Sequence, residues 1–249
     1  MKLQLIRNAT LRMTYAQRQI LIDPYLAPKH SLPSFTGKSP NPLVDLPCTP
    51  DEVIVDSELA IVSHLHADHF DSVAQTLLPK NIELFCQLGD ETKIKGKGFE
   101  RVTAVSEPIT WQGIMITPTP CQHGSGDVLA LMGNASGFIF AAEDEPTVFW
   151  VGDSILTDDI LEIINRVQPD IIITHSCGAV WGDGVLIVMD AVQTTAVCQA
   201  APKSTVIATH MESLDHATIT RQTLRQQATI QGIGSEQLLI PADGETLAF

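Results

Sequence analysis

Residues Ser63 to Asp71, which read Ser-His-Leu-His-Ala-Asp-His-Phe-Asp, constrain this chain more than any other stretch. Four metal-binding side chains, His64, His66, Asp68 and His69, fall within six residues, directly after the apolar run Leu59-Ala60-Ile61-Val62. On extended backbone, residues two apart point to the same side, so His64 and His66 can grip one cation together. Asp68 and His69 fall where the chain is predicted to turn into a helix from Phe70 to Leu78, and so they face another direction. Two adjacent cations are the natural reading. Imidazoles packed this closely would repel one another if protonated and would need partners if buried neutral, so a purely structural role for three of the eight histidines would be costly.

With 249 residues and 44% hydrophobic composition, the chain suits one substantial domain, residues 1–249, with a proper core. The formal net charge of −14 disfavours nucleic acid and anionic membrane as partners, because phosphates would be repelled at long range. The five cysteines, Cys48, Cys86, Cys121, Cys177 and Cys198, include no Cys-x-x-Cys pair and read as free thiols in a reducing compartment. The start, Met1 to Arg7, lacks the pattern of a secretory signal, and no run of about 18 apolar residues could span a bilayer. A soluble, cytoplasmic protein is expected.

His64-Leu65-His66-Ala67-Asp68-His69 resembles the His-x-His-x-Asp-His signature of metallo-β-lactamase-fold hydrolases, a specific motif when it follows a strand. The resemblance covers nearly the whole chain and is nearest to small prokaryotic metal-dependent hydrolases similar to the ascorbate-6-phosphate lactonase group. It implies a four-layer αββα sandwich, where pattern alone gives only α/β or α+β. It also implies which later residues join the site. His123, before Gly124-Ser125-Gly126, matches the third His of the first metal site. Asp153, released from an apolar strand after Gly152, matches the bridging aspartate. His210, ending the strand Thr205 to Thr209, matches the last ligand. The implied sets are His64, His66, His123 and Asp153 for one cation, and Asp68, His69, His210 and Asp153 for the other. Nitrogen-rich ligation suits zinc, with manganese or iron as alternatives.

Elsewhere the chain opens with alternating apolar residues, Leu3, Leu5, Leu11, Met13 and Tyr15, then Gln19 to Ile22, predicting a strand meander. Asp23 before Pro24 is either a turn former or a residue that supports the metal centre. Residues 27–51 carry six prolines and read as a loop over the active-site face, a lid, an oligomer contact or a plain insertion. Cys121 is expected to be a core residue rather than a ligand, and His30 to be solvated. Five further residues are substrate-pocket candidates. Asn8 stands where relatives of the lactonase commonly have Gly-His-Ala, which departs from that group. His175 ends another strand, and Trp181 precedes Gly182-Asp183-Gly184 at the pocket rim. Asp190 is both a helix cap and a match to a Met-Asp that relatives place near the site. His216 follows the last ligand and would touch substrate or donate a proton, or simply begin a helix.

A water shared by two such cations is acidified towards neutrality, with Asp68 and Asp153 as the catalytic carboxylates of the set. Two divalent cations outweigh Asp68, Asp153 and a hydroxide by one charge, which predicts a small anionic ester, lactone or phosphoester as substrate. The competing readings are a nuclease or phosphodiesterase of the same fold, a di-iron redox module and a non-catalytic binding protein. Acidity opposes the first, His66 in place of the usual Glu opposes the second, and the full ligand set opposes the third.

Overall fold

Alternation in the strands decides the architecture. Ile20 and Ile22 point into one core while Leu21 points into another, and Leu59 and Ile61 are likewise separated from Ala60 and Val62. In the second half, Phe138, Phe140, Trp150 and Ile173 face the core shared with Ile20, whereas Ile139, Phe149 and Ile172 face a third core. Strands buried on both faces read as continuous apolar runs, as these do. Each buried Leu, Ile or Val contributes about 1.5–3 kcal/mol.

The computed structural model describes residues 1–249. Its first half comprises β1 (Lys2–Arg7), β2 (Thr10–Tyr15), β3 (Arg18–Ile22), α1 (Pro50–Ile54), β4 (Leu59–Val62), α2 (Ser72–Leu77), β5 (Glu83–Cys86), α3 (Glu91–Lys95) and β6 (Arg101–Ala104). The second half comprises β7 (Ile109–Trp111), β8 (Ile114–Pro120), α4 (Gly126–Met132), β9 (Ser136–Ala141), β10 (Val148–Trp150), α5 (Asp158–Val167) and β11 (Ile171–His175). It continues through the small pair β12 (Val180–Trp181) and β13 (Val185–Leu186), then α6 (Ala191–Ala200), β14 (Thr205–Thr209), α7 (Arg221–Ile230), β15 (Leu238–Leu239) and β16 (Thr246–Ala248). Two seven-stranded sheets result, in the orders β16-β1-β2-β3-β4-β5-β6 and β15-β14-β11-β10-β9-β8-β7. They enclose the central core, and helices cover the outer faces: α1, α2 and α3 on the first sheet, α5, α6 and α7 on the second. This is the expected four-layer αββα sandwich.

Local chemistry sets the element ends. Asp71 caps α2 by accepting from Val73 N at 3.1 Å and Ala74 N at 3.2 Å, and Thr157 caps α5 through Ile160 N. Three elements differ from the sequence reading. β8 runs on through Pro118 and Pro120, where a turn is expected, because it pairs with β7 only over its first residues and leaves those prolines on an edge. The loop after His123 winds into α4. The C-terminal segment returns as β16 to pair with β1, closing the first sheet. No helix is long and apolar enough to cross a membrane.

The segment 27–51 is tied down at its base. Arg7, fully buried, donates to the carbonyls of Tyr25 at 3.1 Å, Ala27 at 2.9 Å and Val44 at 3.1 Å. Its guanidinium also lies over the Tyr25 ring at 4.6 Å. Within the segment, Leu32 and Asn41 form a β-bridge, and a Thr49–Glu52 capping box starts α1.

Candidate metal centre

The donors gather where strands of both sheets end at their C-terminal edges, the usual place for a site in such folds. β4 delivers His64, β8 leads to His123, β10 to Asp153, and β14 to His210. Gly152 adopts φ +73°, and a Cβ there would lie 3.0 Å from Ser136 O and 3.3 Å from Cys121 Sγ, so the turn that presents Asp153 requires glycine. His210 itself sits at φ +62° and Asp23 at φ +43°, strained positions for side chains of their kind. The His210 amide donates to Asn8 O at 2.8 Å, which helps to hold that conformation.

Two clusters form. His64 Nε2 lies 2.9 Å from His66 Nδ1, which in turn lies 3.3 Å from His123 Nε2. His69 Nε2 and His210 Nε2 lie 3.4 Å and 3.2 Å from Asp68 Oδ2 and 3.2 Å from each other. Asp153 stands between them: its Oδ2 is 3.4 Å from His123 Nε2 and 3.2 Å from His69 Nε2, and its Oδ1 is 3.7 Å from His210 Nε2. All seven side chains expected from the sequence meet here, and ligand atoms within 4.8 Å of one another make up the sets His64–His66–His123 and Asp68–His69–His210.

The outer hydrogen bonds identify which ring nitrogens carry protons. His69 Nδ1 faces the Asp23 carboxylate at 2.7 Å, and His123 Nδ1 faces the Ile187 carbonyl at 2.8 Å. Neither partner can donate, so each Nδ1 is the donor, which leaves Nε2 as the nitrogen that faces inwards and could ligate. Imidazole nitrogens crowded at such distances repel, as facing lone pairs or as facing N–H groups, unless a cation sits among them, and the donor set therefore fits divalent metal. Asp23 also accepts from Ser63 N and Ser63 Oγ, both at 2.7 Å, which makes it a support of the centre rather than only a turn former.

The electrostatics show positive charge called for at the centre: burial works to lower the His69 imidazole, but Asp153, Asp68 and Asp23 hold it well above its ordinary value, so without a cation the ring itself carries the charge that a metal would supply. Burial works to raise the Asp153 carboxyl, but the surrounding imidazoles, His69 foremost, hold it well below the usual carboxylate range. Burial, then the nearby His69 and His66, push His64 well below an ordinary imidazole, so it stays neutral and free to ligate. Burial also pushes the Cys121 thiol up, and its Sγ donates to Val151 O at 3.0 Å, so Cys121 is a packed thiol.

The five pocket candidates separate. Trp181 and His216 line a cavity of about 230 Å³ over the cluster, together with Phe35, Ala67, Leu131, Met132 and Ile187, and with His66, Asp68, His123 and Asp153 as its floor. Asn8 lies beneath instead, where its Nδ2 donates to Asp68 O at 3.0 Å. Asp190 caps α6 through Gln193 N at 2.9 Å and is not a lining residue. His175 is buried behind Asp153, its Nδ1 2.5 Å from Asp153 Oδ1. Trp150 Nε1 can only donate, and it reaches His175 Nε2 at 3.2 Å, which fixes the proton on Nδ1 and aims it at the carboxylate. His30 is exposed, as expected. Sequence reasoning missed Phe35, Leu131, Met132 and Ile187. The apolar run Leu129-Ala130-Leu131-Met132 was the one available signal for α4.

Residues 18–211 match the family model described as a beta-lactamase superfamily domain. The UPF0173 protein YddR of Bacillus subtilis is 35% identical over 255 residues, covering 100% of both chains. The structure of a possible metal-dependent hydrolase from Veillonella parvula superposes with a TM-score of 0.95 at 34% identity, covering 100% of this chain and 99% of that one. An isothiocyanate hydrolase from Delia radicum gut bacteria gives 0.93 at 35% identity, with the same coverage. The chain belongs to the UPF0173 family of metal-dependent hydrolases, with the metallo-β-lactamase fold.

Proposed function

We propose that this hydrolase holds two divalent cations, one on His64, His66 and His123 and one on Asp68, His69 and His210, with Asp153 shared. We further propose that it cleaves small uncharged electrophiles carrying an apolar substituent, of the isothiocyanate class. Zinc suits the nitrogen-rich set, with manganese or iron as alternatives. Bound there, the cations would acidify water towards neutrality and polarise the electrophile.

One observation carries the choice of substrate: no Lys or Arg lines the cavity over the cluster, and its walls are Phe35, Leu131, Met132, Trp181 and Ile187. A phosphorylated lactone or a phosphoester, favoured by the charge argument from sequence, would place its anion on an apolar surface there. The neighbouring groove beside His66 has one cationic side chain, Lys93, and it is paired with Asp90 at 3.4 Å. The isothiocyanate hydrolase at 35% identity adds independent support.

In the net reaction, R–N=C=S and water give R–NH2 and COS. The water oxygen bonds to the central carbon, the carbon–nitrogen bond breaks, and both water protons end on nitrogen. Asp68 and Asp153 on the cavity floor are placed to accept a proton from the attacking water, and His216, on the same cavity, is placed to deliver one to the departing nitrogen. The apolar walls exclude bulk water from the substituent. The test is a panel of alkyl and aryl-alkyl isothiocyanates, phosphorylated lactones and phosphodiesters offered to the metal-loaded protein. Turnover confined to the isothiocyanates supports the reading, and turnover confined to the phosphorylated substrates overturns it.

A further inference from the structure

Asp215 is not a donor of the metal cluster, yet its carboxylate accepts five hydrogen bonds. It accepts from Phe35 N at 3.0 Å, Thr36 N at 3.1 Å, Thr36 Oγ1 at 2.7 Å, Asn41 Nδ2 at 3.0 Å and the hydroxyl of Ser34. The Asp215 amide donates back to Asn41 Oδ1 at 2.9 Å. All of these partners belong to the 27–51 segment, which has few other regular bonds of its own. Leu43 N to Ser213 O, at 2.8 Å, ties the same two stretches together. Charge-assisted bonds of this kind are about twice as strong as neutral ones.

What the carboxylate positions is Phe35. Its ring centre lies 4.9 Å from that of His216 at 88° and 6.3 Å from that of Trp181 at 61°, edge-to-face arrangements that form one wall of the cavity. Phe35 also packs on a small cluster of Tyr25, Ala27 and Leu214. The wall is therefore assembled from three remote stretches, and one carboxylate sets its register.

We propose that Asp215 is a positioning residue that latches the 27–51 segment over the metal centre, and that the wall it completes, Phe35 with Trp181, selects substrates carrying a flat aromatic substituent. The inference rests on the isothiocyanate reading and extends it from the reacting group to the group that flanks it. An aromatic ring entering the cavity meets the Phe35 and Trp181 rings, already fixed at 61° to each other, and a methyl group is too small to touch both.

The experiment compares benzyl with methyl isothiocyanate on the metal-loaded wild type and on Phe35→Ala, Trp181→Ala and Asp215→Asn. The same four proteins are titrated calorimetrically with benzylthiourea and methylthiourea, analogues that are not turned over. Phe35→Ala should lower kcat/KM for the benzyl substrate by about tenfold to a hundredfold through KM, with the methyl substrate changed less than about threefold. Asp215→Asn sets an amide N–H against the Phe35 N–H or the Thr36 N–H, whichever oxygen it replaces. It should reproduce the same KM-borne shift and open the 27–51 segment to limited proteolysis, while Phe35→Ala leaves proteolysis unchanged. If Asp215→Asn fails to fold, as judged by circular dichroism, Phe35→Ala and Trp181→Ala still decide the selectivity. An unchanged benzyl-to-methyl ratio in both overturns the wall while leaving isothiocyanate hydrolysis standing. No turnover of either isothiocyanate by wild type sinks the substrate reading instead. The thiourea titrations then decide the wall: a benzyl preference lost in Phe35→Ala supports it, and equal or absent binding of the two overturns it.

Discussion

The floor and the walls of the cavity are built by opposite means. On and just beneath the floor, His64, His123, Asp153 and His210 leave strand ends or the turns just after them, and their outward atoms meet partners fixed by the backbone or by buried side chains. Phe35, Leu131 and Trp181 stand on a proline-rich segment, a short helix and a two-residue strand, and Leu131 is 70% exposed. Rigid strand ends suit chemistry, which tolerates little displacement, whereas loops and short elements can vary what is admitted without disturbing it. Substitutions in the floor should therefore abolish turnover of every substrate, and substitutions in the walls should redistribute it.

The largest expected effect comes from Asp153→Ala, which removes the carboxylate common to both clusters. Turnover should disappear for all substrates alike, and a variant that merely changes substrate preference would erase the distinction between floor and walls. Next is the support behind that carboxylate. His175→Ala should weaken metal retention about a hundredfold and Trp150→Phe about tenfold, measured by competition with a chelating indicator. Equal effects would mean that the Trp150 proton does not fix the His175 tautomer. Arg7→Leu leaves two buried carbonyls, of Tyr25 and Ala27, and the half-buried one of Val44 without their donor and should cost about 3 kcal/mol in urea unfolding, with the metal centre of the surviving folded fraction intact.

The smallest effect concerns pH at the wall. Burial acts to raise the Asp215 carboxyl, but the hydroxyls of Ser34 and Thr36 and the amides of Asn41 and Phe35 hold it below the usual carboxylate range. A depressed carboxylate contributes stability that is full above its unfolded pKa of about 3.9 and is lost as pH falls through the folded value. The difference in thermal midpoint between wild type and Asp215→Asn should be constant from pH 7 to about 5 and shrink below about 4. A difference that grows with acidity would show that Asp215 is not held as a carboxylate.

His64 to His69 were legible because they directly follow the apolar run Leu59 to Val62, whereas His123, Asp153 and His210 were placed through the resemblance. The same resemblance, carried by His64 to His69, also gave the four layers. The walls were not legible. Phe35 lies among prolines with no periodicity to orient it, and Asp215 meets partners 174 to 181 residues away, a relation no local pattern encodes. Asn8 and Asp190 look like pocket residues by position in the chain, but backbone groups nearby claim their side chains first. The charge balance of the centre suggested an anionic substrate, whereas the apolar walls favour the uncharged one proposed above.

Metal content tests the central claim most directly. Elemental analysis of the purified protein beside Asp153→Ala and His123→Ala should give two divalent ions per wild-type chain and at most one in each variant, with hydrolysis lost on exhaustive chelation and restored by added zinc or manganese. Wild-type protein that keeps full hydrolytic activity after its metal has been removed would contradict the account.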